Sequence, residues 1–462
     1  MIKKAIKLFI FIGIFPVLMA QESPTLTLSV QQARDYAIKH NKMLQNAKTD
    51  VEIAKKKQWE TMAQGLPQAD ATVDYTDFFN YEVEFNMGGG GGGGMPNIDT
   101  TFLDFGDFEI IKLLTSMMGS GSSTIKMNNS STATFRVSQL IFSGQYWVGM
   151  QVSKIAYALA QNSYQNTEND VIEGVVSSYY MALVTEESKR ILELNIKNLK
   201  STLQKTEVML AAGMAEEVDV DQLQLAVMML ESSKTQLERA VQLSYNLIRF
   251  QLGLDANAQI VLTDNLESLI LKTNMQIPLN QSFNVSDNPT FRILSQQEEI
   301  GRKMLQMEKL SYAPTLVGFY SYNKKLLTTD FDMNPNHVAG VSLSVPIFSS
   351  GVRYSKVQQK NLELTKIRNT KSLLEEQLKM QEKQYRFDLM NSIEQYELQK
   401  KSIAVAQKVY NSIELKYSQG MASSLELTQA SDNFLKSQNN YIQSLMSLLQ
   451  AKLNYDKLLN RL

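Results

Sequence analysis

The chain has 462 residues, 44% of them hydrophobic, so size is no obstacle to several ordinary domains or one large core. Its 46 Lys+Arg and 47 Asp+Glu leave a net charge of -1, which gives no reason to expect nucleic acid. With no Cys and only His40 and His337, thiolate zinc sites, iron–sulfur clusters, Cys nucleophiles and His-based triads are excluded or very strained, and no cofactor is expected.

From the N-terminus, Lys3, Lys4 and Lys7 precede an apolar run from Leu8 to Leu18, and Ala20 closes it before Gln21-Glu22-Ser23. This reads as a signal peptide over residues 1–20, too short for a membrane span of roughly 20 apolar residues. No later run is long and apolar enough to be a transmembrane helix, so any membrane role has to come through strands. The stretch from Val30 to Gln64 is polar-rich and free of Pro and paired Gly, as a helix requires. The period then becomes two: Val73 and Tyr75 alternate with Thr72, Asp74 and Thr76, and Ala133, Phe135 and Val137 alternate with Thr134, Arg136 and Ser138. Between these strands lies a glycine-rich loop, residues 86–130, with an unbroken run from Gly88 to Gly94. Such a loop cannot pack a core and suits an exposed surface.

A helical stretch almost without breakers follows from Gly144 to the region of Gly213. The sequence then repeats: Gly213-Met214-Ala215 matches Gly420-Met421-Ala422, 207 positions on, and Gly144 matches Gly351 at the same offset. Asn41 matches Asn288 and Pro67 matches Pro314, both 247 positions apart, so about 40 extra residues lie in the first copy. The second copy has its own helix from Thr290 to Leu310. Its strands run from Thr315 to Tyr322 and through Val341, Leu343, Val345 and Ile347. Its long helix, Gly351 to Gly420, places Leu389, Tyr396, Ile403, Tyr410 and Tyr417 seven apart; Ile172, Val176, Tyr179 and Leu183 step by four, three and four in the first. Those are coiled-coil spacings, and each helix is on the order of 100 Å long at about 1.5 Å per residue. A return arm follows each glycine, with Phe434, Tyr441 and Leu448 again seven apart. The domain organisation is thus a signal peptide (1–20), a first repeat (21–255), a linker (256–285) and a second repeat (286–462).

Four strands that alternate apolar and polar residues can lie half in lipid, but an open sheet in a bilayer leaves edge groups unpaired at several kcal/mol each. Only a closed barrel escapes that cost, and barrels need at least about eight strands, so several chains must pool theirs. The alternative, soluble hairpins on a coiled-coil protein, fits less well because such hairpins rarely hand directly into helices of this length.

The opening Leu26-Thr27-Leu28 with Ala33, Ala37 and Asn41 is one part of a wider pattern. The others are the strand-to-helix words Gln139-Leu140-Ile141-Phe142-Ser143-Gly144 and Val345-Pro346-Ile347-Phe348-Ser349-Ser350-Gly351, and the two Gly-Met-Ala words. Together, in this order and duplication, they resemble the TolC-like outer-membrane channel family over essentially the whole mature chain. The resemblance implies an α+β homotrimer: a twelve-stranded transmembrane β-barrel, four strands per chain, continued by a periplasmic α-helical coiled-coil barrel. It further implies an outer-membrane conduit that serves tripartite efflux or type I secretion. Its partners would be a periplasmic adaptor protein, an inner-membrane pump of the RND, ABC or MFS type, and outer-membrane lipid.

The strand-to-helix junctions fall on Gly144, Pro346 and Gly351. Gly213 and Gly420 read as helix C-caps free to adopt positive φ, and the resemblance makes these turns the periplasmic tip where the adaptor docks and the tunnel closes. Asp219 and Tyr417 stand where the family places contacts that hold the closed state, although Tyr417 also fits the packing stripe. The family's arginine partner is replaced by Ala422. Glu426 matches an acidic constriction position, where three copies would form a carboxylate ring favouring cations; a second such position falls on Gln429. Glu426 also suits the first turn of a helix, where its charge complements the dipole. The glycine run lacks the Gly-Lys-Ser/Thr of a phosphate loop, Glu298 and Glu299 lack a helper group for catalysis, and the acidic residues near Asp219 lack the ligands of a calcium loop. No enzyme activity is expected. The rival class is a structural or adhesive coiled-coil protein anchored in the envelope by its barrel.

Overall fold

A computed structural model describes residues 25–77, 79, 82–85, 123–126, 129–272, 283–327 and 335–462. The signal peptide and the Gly88–Gly94 run lie outside the described residues. In chain order the elements are β1 (Leu26–Leu28), α1 (Val30–His40), α2 (Lys42–Ala63), β2 (Gln68–Thr76), β3 (Glu82–Phe85), β4 (Ser123–Lys126), β5 (Ser130–Ser143), α3 (Gly144–Ala211) and α4 (Glu217–Leu252). Then come β6 (Ile260–Leu262), α5 (Leu266–Lys272), α6 (Pro289–Lys309), β7 (Thr315–Lys325), β8 (His337–Ser344), α7 (Val352–Ser418) and α8 (Ser424–Leu458). The chain divides into two units. One comprises residues up to 55, 155–300 and 364–462; the other comprises 56–154 and 301–363.

The second unit holds the main sheet, antiparallel throughout in the order β2-β5-β7-β8. Its register sorts the side chains. Val73 and Tyr75 share a face with Ala133, Phe135, Val137, Tyr320, Tyr322, Val341 and Leu343. The other face carries Asp70, Thr72, Asp74, Thr134, Arg136, Ser321 and Asn323. Strand side chains alternate between faces, so a mainly apolar and a more polar surface follow from the sequence alternation, with Lys324 and His337 on the first and Val317, Phe319 and Val338 on the second. On the polar side Arg136 stacks over the Phe319 ring, 4.9 Å from its centroid, and Phe319 in turn lies over Gly340, where a Cβ would meet the ring at 2.9 Å. Among the described residues β2 and β8 each lack a second strand neighbour, so the sheet has two free edges.

Three expectations are corrected. The helical stretch from Val30 to Gln64 is two helices, because Asn41 takes an extended ψ of 129° and its side chain starts the second. β8 stops at Ser344, so Val345 and Ile347 lie beyond it: Pro346 has no N–H for a ladder, and Ser350 and Gly351 turn with positive φ. The four expected strands form the main sheet, but four further short strands are present among the described residues. β4 falls inside the stretch read as the 86–130 loop and pairs antiparallel with β3, and β6 pairs parallel with β1. Strands of three or four residues are too short to display an alternation.

The first unit holds the helical hairpins and the largest core. Shifting α3 and α4 by 207 residues reproduces α7 and α8 to within a residue at each end. Of the sequence-predicted stripe, Leu389, Tyr396, Tyr410 and Tyr417 are buried on α7 and Ile403 is half-buried, while Ile172, Val176, Tyr179 and Leu183 are buried on α3. Tyr410 stacks on Phe434 and Tyr396 meets Tyr441 at a tilt, so two ring pairs join α7 to its return arm. Tyr179 is fully buried where β1 and β6 meet α3. Its hydroxyl donates to the Leu28 carbonyl or to Asp264 Oδ2, each 3.0 Å away, and Asp264 Oδ2 accepts from Val30 N–H at 2.7 Å. Burial, above all, raises the phenol pKa well beyond its ordinary 10.0, so this group stays a donor.

The two repeats dock their helices by the same device. Asn41 Oδ1 accepts from the N–H groups of Met43 and Leu44 at 2.8 and 3.3 Å, while its Nδ2 donates to the Gln251 carbonyl at 2.6 Å. Asn288 Oδ1 does the same for Thr290 and Phe291 at 3.0 and 3.3 Å, and its Nδ2 faces the Leu458 carbonyl at 3.5 Å. A helix N-cap and a helix C-terminal carbonyl are satisfied by one buried amide. Just beyond the return arms, Gly253 (φ 70°) and Asn460 (φ 56°) hold equivalent left-handed positions.

Candidate functional site: the helix turns and the sheet faces

Both long helices end in one backbone motif. Gly213 and Gly420 each adopt φ 73°, and the next residue's N–H closes the helix: Met214 to the Met209 carbonyl, Met421 to the Lys416 carbonyl, both at 2.8 Å. This is the six-to-one bond of a Schellman cap, which requires the left-handed residue. Two or three residues on, the return arms begin with reciprocal capping boxes. Asp219 accepts from Glu216 N–H at 3.1 Å, and Glu426 accepts from Ser423 N–H at 2.8 Å, while Ser423 Oγ accepts from Glu426 N–H at 3.2 Å. Asp219 and Glu426 are therefore equivalent positions of the two repeats.

The turns are also tied to one another within the chain. Ser424 Oγ donates to Asp219 Oδ1 in a short hydrogen bond, joining the start of α8 to the start of α4. Deeper along the helices the Tyr417 hydroxyl lies 2.6 Å from Thr206 Oγ1, and both side chains are buried. Thr206 keeps a second bond to the Thr202 carbonyl at 3.0 Å. Ala422 is half-buried against the cluster of Tyr410, Tyr417, Leu427 and Ala430. The structure thus gives Asp219 and Tyr417 separate partners, Ser424 and Thr206. Sequence reasoning missed both partners, although Thr202 and Thr206 follow the apolar Leu199 at stripe spacing and so announced a buried face.

Glu426 is exposed and engaged with Ser423, whose backbone N–H and hydroxyl hold its carboxyl below the ordinary 4.5. Gln429 sits one turn further on the exposed side, its amide 3.4 Å from Asn433 Oδ1. At the strand-to-helix junctions the two glycines act for different reasons. A Cβ on Gly144 would lie 3.3 Å from the Leu310 side chain, which would have to shift by a few tenths of an ångström; Gly351 takes φ 81° and needs its conformational freedom. Among the described residues no group of three or more His, Asp or Glu could hold a metal, and no helix is long and apolar enough to cross a membrane.

The arrangement of a four-stranded sheet whose strands feed helices of 68 and 67 residues is shared with solved outer-membrane proteins. Residues 288–461 match the sequence model of the outer membrane efflux protein family, so over that stretch the resemblance seen in the sequence holds. Among solved structures the chain is similar to the CusC channel at 12% identity and a TM-score of 0.74, with 93% of this chain and 91% of that one covered. VceC of Vibrio cholerae gives 12% and 0.70, covering 93% and 95%; CmeC of Campylobacter jejuni gives 14% and 0.69, covering 93% and 85%. No curated protein matches by sequence.

Proposed function

We propose that three copies of this chain close a twelve-stranded barrel in the outer membrane of a Gram-negative bacterium and continue it as a helical tunnel in the periplasm. The observation that carries this reading is the sheet: one face suits lipid, the other suits water, and each free edge exposes ladder groups that a bilayer would not tolerate unpaired. The likeness to the VceC outer membrane protein and the CmeC outer membrane channel supports it. On this reading the chain is a passive conduit and performs no bond chemistry. A periplasmic adaptor and an inner-membrane RND, ABC or MFS pump supply energy and cargo, in tripartite efflux or type I secretion.

The organisation follows: residues 1–20 are removed on export, two repeats (21–255 and 286–462) each contribute a strand pair and a helical hairpin, and 256–285 joins them. The turns at Gly213 and Gly420 are the adaptor-facing tip, and the Asp219–Ser424 and Tyr417–Thr206 bonds hold it closed. Glu426, three-fold repeated, biases the constriction toward cations, and Gln429 adds no charge to it. The direct test is purification from outer membranes in mild detergent followed by planar-bilayer recording. A trimer-sized species with ohmic conductance is expected. A trimer with no conductance would favour a barrel-anchored structural protein, and the absence of any trimer would refute the architecture.

A further inference from the structure

The internal repeat predicts how one copy meets the next. β5 and β8 are equivalent strands, as are β7 and β2, so the observed pairing of β5 with β7 is a template for pairing β8 of one copy with β2 of another. The words Val137–Phe142 and Leu343–Phe348 align at 206 positions, and β7 aligns with β2 at 247. Carrying the β5–β7 register across places Leu343 opposite Val73 and Val341 opposite Tyr75, apolar face on apolar face, and Phe348 opposite Ala69. The sense is right as well. In an antiparallel sheet ordered β2-β5-β7-β8, β8 of a second copy runs antiparallel to β2.

The segment leaving β8 is built for such a neighbour. Ile347 and Phe348 are 95% and 85% exposed, far beyond their equivalents Ile141 and Phe142 at 53% and 44%. Pro346 corresponds to Leu140, where β5 carries its bulge, a place that tolerates proline. Gly144 packs against Leu310, whose repeat equivalent is Ala63; its own equivalent, Gly351, has nothing within 4 Å among the described residues. The contact that completes one junction inside the chain is thus missing at the other. The surface it would meet is already formed. Tyr146 donates to the Met62 carbonyl at 2.9 Å across Gly65, and Gln68 Nε2 donates to the Ala63 carbonyl at 2.8 Å. Together they fix the end of α2, where Trp59 and Met62, three residues apart on the helix, and Leu66 in the turn after it are exposed.

We infer that Ile347 and Phe348 of one copy extend β8 and seat on the end of α2 and the start of β2 of the next copy, with Gly351 against Ala63. The occupant is a second copy of this chain, and the inference rests on the ring reading above. The protein has no Cys, so paired substitutions give a clean readout. Leu343→Cys with Val73→Cys tests the strand register, and Phe348→Cys with Ala69→Cys tests the clasp. Mild oxidation of full-length trimers in outer membranes should convert most of the chain to dimer and trimer bands on non-reducing gels for both pairs. Single variants and the off-register pair Phe348→Cys with Asp74→Cys should remain monomeric. Linking of the strand pair without the clasp pair would overturn the inference while leaving the ring intact. Linking of neither would overturn both. Labelling of Phe348→Cys by a lipid-soluble maleimide at full rate in assembled trimers would assign the segment to lipid and also overturn it.

Discussion

Removing the Tyr417 hydroxyl should loosen the tip by an amount that the geometry sets. Tyr417→Phe deletes one partner of a 2.6 Å bond between two buried side chains, but Thr206 retains the Thr202 carbonyl at 3.0 Å, so no polar atom is stranded. The loss is then the net value of a single hydrogen bond, about 1 kcal/mol, rather than a desolvation penalty. Thr206→Val is harsher: it leaves the Tyr417 hydroxyl buried without its partner, at about 1–3 kcal/mol. If the bond is present only in the closed tip, Tyr417→Phe raises the open-to-closed ratio by roughly fivefold. In planar bilayers this reads as a rise in open probability at unchanged unitary conductance. The double variant should resemble Tyr417→Phe, so the coupling energy equals the cost of Thr206→Val alone, about 1–3 kcal/mol. Unchanged gating in both single variants, or additive effects in the double, would show that the bond is a packing detail and not a latch.

The equivalent left-handed sites offer an internal control. Gly253→Ala places a methyl 2.7 Å from the His40 carbonyl oxygen on a positive-φ backbone and should cost upwards of about 2 kcal/mol, whereas Asn460→Gly should be neutral or slightly stabilising; thermal dissociation of detergent-solubilised trimers compares them. Glu426→Gln keeps the reach-back to Ser423 N–H and removes the charge, while Glu426→Ala removes both. Both should lower single-channel cation selectivity, and unchanged selectivity in both would sink the carboxylate ring. The Glu426 carboxyl sits below its ordinary 4.5 in the folded chain, so its contribution is complete above that value and is lost as pH falls through the depressed native one. Hydrogen exchange at Ser423 should accordingly accelerate on acidification below pH 4.5 and be insensitive to pH over that range, after correction for intrinsic exchange, in Glu426→Gln.

Much of this architecture is legible in the sequence because it is periodic. The seven-residue spacing of Leu389, Tyr396, Ile403, Tyr410 and Tyr417 and the alternation from Ala133 to Ser138 repeat often enough to outvote local noise, and the duplication lets each copy check the other. What stayed hidden depends on contacts between distant residues. Asn41 ends α1 because its amide reaches Gln251, a residue 210 positions away, and nothing near Asn41 announces that. β1 and β6 are three residues each, below the length at which alternation can be read. Ser424 and Thr206 carry no signal as ligands of Asp219 and Tyr417 until the hairpins are folded side by side. Val345 and Ile347 mislead in the opposite sense: their alternation continues β8 in the sequence, but β8 ends at Ser344 and both are exposed in the single chain.

The paired asparagines have a consequence for how such a chain can change over time. Asn41 and Gln251 are 210 residues apart, Asn288 and Leu458 only 170, yet the two amides make the same docking. The 40 extra residues of the first copy fall between Pro67 and Gly144, inside that closed loop. Loop-closure entropy grows only logarithmically with length, so such an insertion costs well under about 1 kcal/mol once the closing contacts exist. Each repeat is in effect a buckle whose strap can be lengthened at the strand ends while the helical half keeps its register. The stretch between Pro67 and Gly144 can therefore change in length at little cost to the docking of the helices.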